Sequence, residues 1–178
     1  MKFFNFALVG LGRIGFSLGL EKKRKFIWSH SKAIDKFKKF KLAYAVDKDV
    51  KKIKKFKHFY KTVDVRNNFN FKNNIDCIIF AINENQLFKT LKKVNLRKIR
   101  LIILEKPVAR SITELNKIFN YLKKKNLNII VNYQRRFDTN YNILKKIIKN
   151  NKFGKLQSIN VRYSGGVFNI FSHMLDLI

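Results

Sequence analysis

Apolar residues in this 178-residue chain gather in short runs, separated by stretches that mix apolar and charged positions. The runs at 3–9, Leu42–Val46, Ile75–Ile82, Leu101–Leu104 and Leu127–Val131 are nearly continuous in Phe, Ile, Leu, Val and Ala. Strands buried on both faces of a parallel sheet read this way. Between them lie helical patterns. One begins at 13–20, a second is capped by Ser29 or Ser31 and runs to about Phe40, and a third spans Lys48–Phe56. Two more cover Asn83–Val94 and Ser111–Lys124, the last with Ser111 as cap and Glu114 at capping-box spacing. Strands alternating with helices predict an α/β fold built as a Rossmann-type, doubly wound parallel sheet.

The pattern changes after Asn132. Residues 133–138 lead into a helix ending near Lys149, and Lys155–Tyr163 alternates in the manner of a strand. Gly165 and Gly166 then turn the chain into a last helical segment, Val167–Ile178, which carries no closing cap. One strand and two helices bury too little surface to stand alone. The expected organisation is therefore a nucleotide-binding domain over 1–132, followed by the start of an incomplete α+β second domain over 133–178.

The first apolar run leads directly into Gly10-Leu11-Gly12-Arg13-Ile14-Gly15, a G-x-G-x-x-G pattern between a strand and a helix-compatible run. Each glycine has a physical job in a dinucleotide site. Gly10 permits the tight turn, Gly12 lets the backbone approach a pyrophosphate, and Gly15 allows close helix–sheet packing. The anion would rest on the exposed N–H groups of this turn. The competing reading is an ordinary glycine turn. At the end of the second strand, Asp47 suits the adenosine ribose hydroxyls and would repel the extra phosphate of NADP. It stands further from Gly15 than the about 20 residues usual for such a pair, so 21–31 reads as an insertion in the first crossover. The alternative for Asp47 is a solvated loop aspartate. His30, near the start of the second helix, has two readings, a ligand contact or a surface histidine, of which the surface histidine is favoured.

Composition changes this picture in one respect. The chain carries 40 Lys+Arg against 11 Asp+Glu, a net charge of +29. Such a balance raises nucleic acid, acidic membranes or anionic substrates as partners. The basic residues are spread over several helical faces, at 22–25, 36–41, 51–57 and 123–125, and no nucleic-acid recognition motif accompanies them. Non-specific adhesion to polyanions is expected, and a specific nucleic-acid partner is not. Hydrophobic residues make up 46% of the chain, ample for a core. No run is long and apolar enough to span a membrane, and the N-terminal run reads as a strand, not a signal peptide. The lone Cys77 lies inside an apolar run and reads as a buried strand residue in a reducing compartment, which makes a cytoplasmic location the expectation.

Four signatures stand in order: Gly10-x-Gly12-x-x-Gly15; Glu105-Lys106-Pro107; residues 132–137, Asn-Tyr-Gln-Arg-Arg-Phe; and Gly165-Gly166 followed by residues 172–176, Ser-His-Met-Leu-Asp. Together they resemble the glucose–fructose oxidoreductase / inositol dehydrogenase (Gfo/Idh/MocA) family, in its N-terminal portion. The long first crossover resembles a branch that handles sugars or nucleotide sugars.

The resemblance implies an NAD(P)-dependent oxidoreductase moving hydride between a hydroxyl-bearing carbon of a sugar or sugar derivative and nicotinamide. It implies NAD as cofactor, NADP remaining open, with Gly10, Gly12, Arg13, Ile14, Gly15, Asp47 and Glu105 on the dinucleotide. Lys106 would orient the substrate hydroxyl, and His173 would exchange its proton. Arg136, or its neighbour Arg135, and Asp176 would meet substrate, Asp176 pairing either with it or with His173. No metal is implied, and oligomers would form only in a longer protein that carries the rest of the second domain. The sequence departs from the family at Ile82-Asn83, where Thr-Pro is usual, and at Leu87, where a His is usual. It departs again at Asn169, in place of an Asp, and at Phe171, in place of a Gly. These departures keep a second reading in view, a truncated, non-catalytic remnant that at most binds a dinucleotide. The third reading is a polyanion-binding module driven by charge.

Overall fold

The structure is a computed structural model describing residues 3–23, 26–71, 74–125 and 127–178, with backbone alone for Phe168 and Asn169. Arg24 and Lys25 of the first basic run, and the side chain of Asn169, lie outside the described residues. The chain forms two compact units, 1–131 and 132–178.

In the first unit the continuous apolar runs become a six-stranded sheet, all parallel, in the order β3-β2-β1-β4-β5-β6. The strands are β1 (Phe4–Val9), β2 (Phe40–Val46), β3 (Asp64–Arg66), β4 (Cys77–Phe80), β5 (Leu101–Leu104) and β6 (Asn128–Val131). Side chains alternate across the sheet and build two cores. Phe6 and Leu8 of β1 join Ile34, Phe56 and Val65 on one face. Ala7 and Val9 join Leu87, Leu91, Ile118 and Leu122 on the other. A sheet covered on both faces by crossover helices is the doubly wound arrangement. Cys77 is buried in β4, and burial pushes its thiol pKa up to about 12.

The helices begin where capping chemistry places them. In α1 (His30–Asp35) the Ser29 side chain accepts from the Lys32 N–H at 3.4 Å. In α2 (Val50–Phe59) the Asp49 carboxylate accepts from Lys51 and Lys52. α3 spans Glu84–Leu91. In α4 (Ile112–Lys123) Ser111 accepts from the Glu114 N–H at 3.2 Å. The Glu114 carboxylate reaches back to the Arg110 N–H, one residue before the cap.

Two local expectations change. The run after Gly15 forms no α-helix: it makes a turn and a short 3-10 helix, Ser17–Leu20. The Ile14 and Gly15 carbonyls, which an α-helix would offer to the Leu18 and Gly19 N–H groups, accept instead from His30 and Ser31. Gly19 lies so close to the start of α1 that a Cβ there would come within 2.3 Å of Ser29 Oγ. The helix capped by Ser29 ends at Asp35, short of Phe40, where β2 already begins.

In the second unit Gln134–Phe137 makes a 3-10 turn, and Asp138 caps α5 (Thr139–Lys149). A wide helical turn, Val167–Phe171, leads into α6 (Ser172–Leu175). The expected strand at 155–163 runs without forming a strand ladder. Alternation supplies a face, but a strand also needs a neighbour to take its N–H and C=O groups. Among the described residues no helix is long and apolar enough to cross a membrane.

Candidate functional site

The crossovers change direction between β1 and β4, and the carboxyl ends of these strands open a crevice. The glycine turn fills its floor. Gly10 has φ +99°, a conformation that favours glycine, and its N–H donates to Val46 O at 2.8 Å. A Cβ on Gly10 would lie 2.3 Å from Ala81 O, so the residue is wedged between the ends of β2 and β4. The chain then folds back so tightly that a Cβ on Gly15 would come within 2.0 Å of Gly10 O. Gly12 is different. Among the described residues nothing lies within 4 Å of where its Cβ would be.

Asp47, at the end of β2, is tied to this turn. Its Oδ2 accepts the Leu11 N–H at 2.7 Å, and its Oδ1 accepts the Asp49 N–H at 2.9 Å. Beyond Leu11, the N–H groups of Gly12, Arg13, Ile14 and Gly15 have no hydrogen-bond partner among the described residues. Arg13 and Ile14 are exposed. Consecutive N–H groups without acceptors form a cradle for an anion. A cleft of about 580 Å³ opens beside it, lined by Gly10, Gly12, Asp47, Ala81, Ile82 and Asn83, with Lys48, Lys52, Lys89 and Lys93 at its walls. These residues fit a dinucleotide: donors for the pyrophosphate, a carboxylate for a ribose, and space over Gly12. The substitutions noted in sequence fall on this wall, where Ile82 and Asn83 face the cleft, and in the core, where Leu87 is buried.

Glu105, Lys106 and Pro107 follow directly on β5. The Glu105 N–H donates to Phe80 O at 3.2 Å, and the Lys106–Pro107 peptide bond is cis. Lys106 is half-buried. His30 is not the surface residue expected. Its Nε2 lies 2.7 Å from Glu105 Oε1, and the two side chains are only 12% and 15% exposed. Nothing local in the sequence signals a contact across 75 positions. The long spacing from Gly15 to Asp47 includes residues 21–23 and 26–29, which form neither helix nor strand, and α1.

In the second unit, residues 133–137 and α6 interlock. Arg136 Nε donates to both Asp176 oxygens, at 2.8 and 2.7 Å, and its Nη2 joins them. The Arg136 guanidinium lies 5.4 Å from the centre of the Tyr133 ring. Tyr133 in turn meets buried His173 edge-on, with ring centres 5.9 Å apart. Burial raises the Tyr133 phenol pKa, Asp176 adds to the rise, and Arg136 opposes it. Arg135 Nη1 lies 3.1 Å from Met174 Sδ. The sequence left Asp176 to pair with His173 or with substrate; in the structure its carboxylate accepts from Arg136.

A parallel sheet of this order, with a glycine cradle and an acidic residue ending β2, defines an NAD-binding Rossmann domain. The profile of the GFO_IDH_MocA family, described as an oxidoreductase family with an NAD-binding Rossmann fold, matches residues 4–133. The chain belongs to the Gfo/Idh/MocA oxidoreductase family. No curated protein matches the sequence. Among solved structures, scyllo-inositol dehydrogenase from Lactobacillus casei, with bound NAD(H) and scyllo-inositol, superposes with TM-score 0.77 at 19% identity. That match covers 99% of this chain and 55% of the other. Myo-inositol 2-dehydrogenase from Lactobacillus plantarum gives TM-score 0.64 at 23% identity over 87% of this chain and 43% of the other. The chain thus spans about half the length of the structures it matches.

Proposed function

We propose that this chain provides the dinucleotide-binding half, and the first part of the substrate region, of an oxidoreductase acting on a hydroxyl of a sugar or cyclic polyol. The observation that carries this reading is the row of acceptor-free N–H groups at 12–15, set beside Asp47 at the reversal of strand order. NAD, when bound, supplies the hydride acceptor. Gly12 to Gly15 hold its pyrophosphate, Asp47 its adenosine ribose, and Glu105 its nicotinamide half. Asp47 favours NAD over NADP through charge repulsion of a 2′-phosphate. Lys106 orients the substrate hydroxyl and stabilises negative charge as its proton leaves. His173 takes that proton, a task suited to imidazole near neutral pH. The Arg136–Asp176 pair supports the segment bearing His173. The substrate class draws on the scyllo-inositol bound by the Lactobacillus casei enzyme and on the resemblance of the long first crossover to a branch that handles sugars or nucleotide sugars.

The test is appearance of reduced nicotinamide when the chain is mixed with NAD and a panel of cyclic polyols and sugars. The expected result is turnover that Lys106→Met abolishes while NADH still binds. One observation favours a second reading, binding without turnover: residues 156–163 form no ladder, and Leu156 and Ile159 are half exposed. NADH binding with no turnover on any member of the panel would favour that reading.

A further inference from the structure

His30 is held at both ends by elements that the proposed dinucleotide site uses separately. Its backbone N–H donates to Ile14 O at 2.9 Å, and the next N–H, from Ser31, donates to Gly15 O at 3.1 Å. The start of α1 is thereby bonded to the cradle itself. Ser29 caps this end of α1 and packs against Gly19. From that seat the imidazole reaches over to Glu105, at the end of β5. In a sheet of order β3-β2-β1-β4-β5-β6, the strands β1–β3 serve one mononucleotide half and β4–β6 the other. His30 belongs to the crossover of the first half, while its side chain grips the second.

An imidazole N–H donating to a carboxylate in a mostly dry position is a strong, directional bond. The 2.7 Å contact fixes which way the Glu105 carboxylate faces, and Glu105 is joined directly to Lys106. A carboxylate able to rotate would pay ordering entropy when a ligand arrives; one already held does not. We propose that His30 is a positioning residue for the nicotinamide half of the dinucleotide, acting through Glu105 and leaving the adenosine half untouched. This inference rests on the dinucleotide reading above.

Two ligands separate the halves. ADP carries the adenosine and pyrophosphate alone, while NADH adds the nicotinamide riboside. Affinities of both are measured by titration calorimetry in about 0.3 M salt, where adhesion to the chain's excess positive charge is screened. His30→Ala is expected to weaken NADH about tenfold and to leave ADP within about twofold. His30→Gln keeps an N–H donor and is expected to restore most of the NADH affinity. In the Glu105→Ala background, His30→Ala is expected to cost nothing further, because the two act as a unit. Equal weakening of ADP and NADH, by His30→Ala or by His30→Gln, would assign His30 a general structural role and overturn the proposal. Unchanged NADH affinity in His30→Ala would overturn it as well. A parent chain that binds neither ligand refutes the dinucleotide reading itself, an outcome distinct from a parent that binds both and variants that do not discriminate.

Discussion

Gly12 and Gly15 stand three residues apart in one turn, and the structure assigns them opposite kinds of sensitivity. A Cβ on Gly15 would sit 2.0 Å from Gly10 O, 3.1 Å from Gly10 C and 3.5 Å from Ala81 Cβ. The clashing atom is backbone, and Gly10 is pinned by its own bond to Val46 O and by its φ of +99°. Relief requires the turn to open by more than about 1 Å, since a carbon–oxygen contact needs roughly van der Waals separation. Overpacking of this kind costs about 3 kcal/mol, a large share of the about 10 kcal/mol that holds a domain together. Gly12→Ala meets nothing within 4 Å among the described residues, so its effect on folding is about 0.5 kcal/mol or less. The added methyl instead occupies the approach to the Gly12–Gly15 N–H groups. A phosphate displaced from that cradle loses about 2 kcal/mol, or about 30-fold in affinity. Urea unfolding and NADH titration of the parent and both variants read the two quantities separately. Gly15→Ala should lower the unfolding midpoint strongly. Gly12→Ala should keep the parent midpoint and lose NADH affinity, and Gly12→Val should abolish binding. If Gly12→Ala binds NADH like the parent, or Gly15→Ala is as stable as the parent, the assignment of these glycines is wrong.

Other consequences follow from side chains away from the cradle. Cys77, buried in β4 with its pKa raised to about 12, should resist thiol reagents at pH 8 in the folded chain and react at once in denaturant; rapid labelling of folded protein would contradict its placement. For Glu84, desolvation works against ionisation, yet its own backbone N–H and Arg110 hold the carboxyl pKa below the ordinary 4.5. Its contribution to stability is therefore whole above about pH 4.5 and is lost as pH falls through the lowered folded value. Glu84→Gln should flatten that part of the acid-unfolding curve and leave the neutral region unchanged in slope. Removing the cap with Ser111→Ala should cost about 1 kcal/mol in the same unfolding assay. Finally, nucleic-acid binding driven by the +29 charge should fall steeply with salt and show no sequence preference; a sequence-specific component would revive the polyanion-binding reading.

Much of the first unit was legible because its signals are local. Continuous apolar runs marked five of the six strands, and the order of strands and helices defined the doubly wound class. β3 escaped because it is three residues long and buries only Val65. The cradle was legible from Gly10, Gly12 and Gly15, since backbone geometry at a turn writes itself into residue type. The grip of His30 on Glu105 and of Asp47 on Leu11 was not, because each joins positions far apart in the chain. The same distance hid the bond between Asp176 and Arg136, 40 positions earlier. The false strand at 155–163 shows the converse: a periodic pattern describes one strand's faces and says nothing of whether a pairing partner is present.

The central claim is that the N–H groups from Gly12 to Gly15 cradle a dinucleotide pyrophosphate beside Asp47. The measurement that reaches it most directly is an amide NMR titration of the isotopically labelled chain with NAD in about 0.3 M salt. The account predicts saturable shifts, moving together, for the amides of Leu11, Gly12, Arg13, Ile14 and Gly15, with smaller shifts at Asp47, Asp49 and 81–83. Shifts scattered over the lysine faces of α2 and α5 without saturation, and a glycine turn that does not respond, would contradict it.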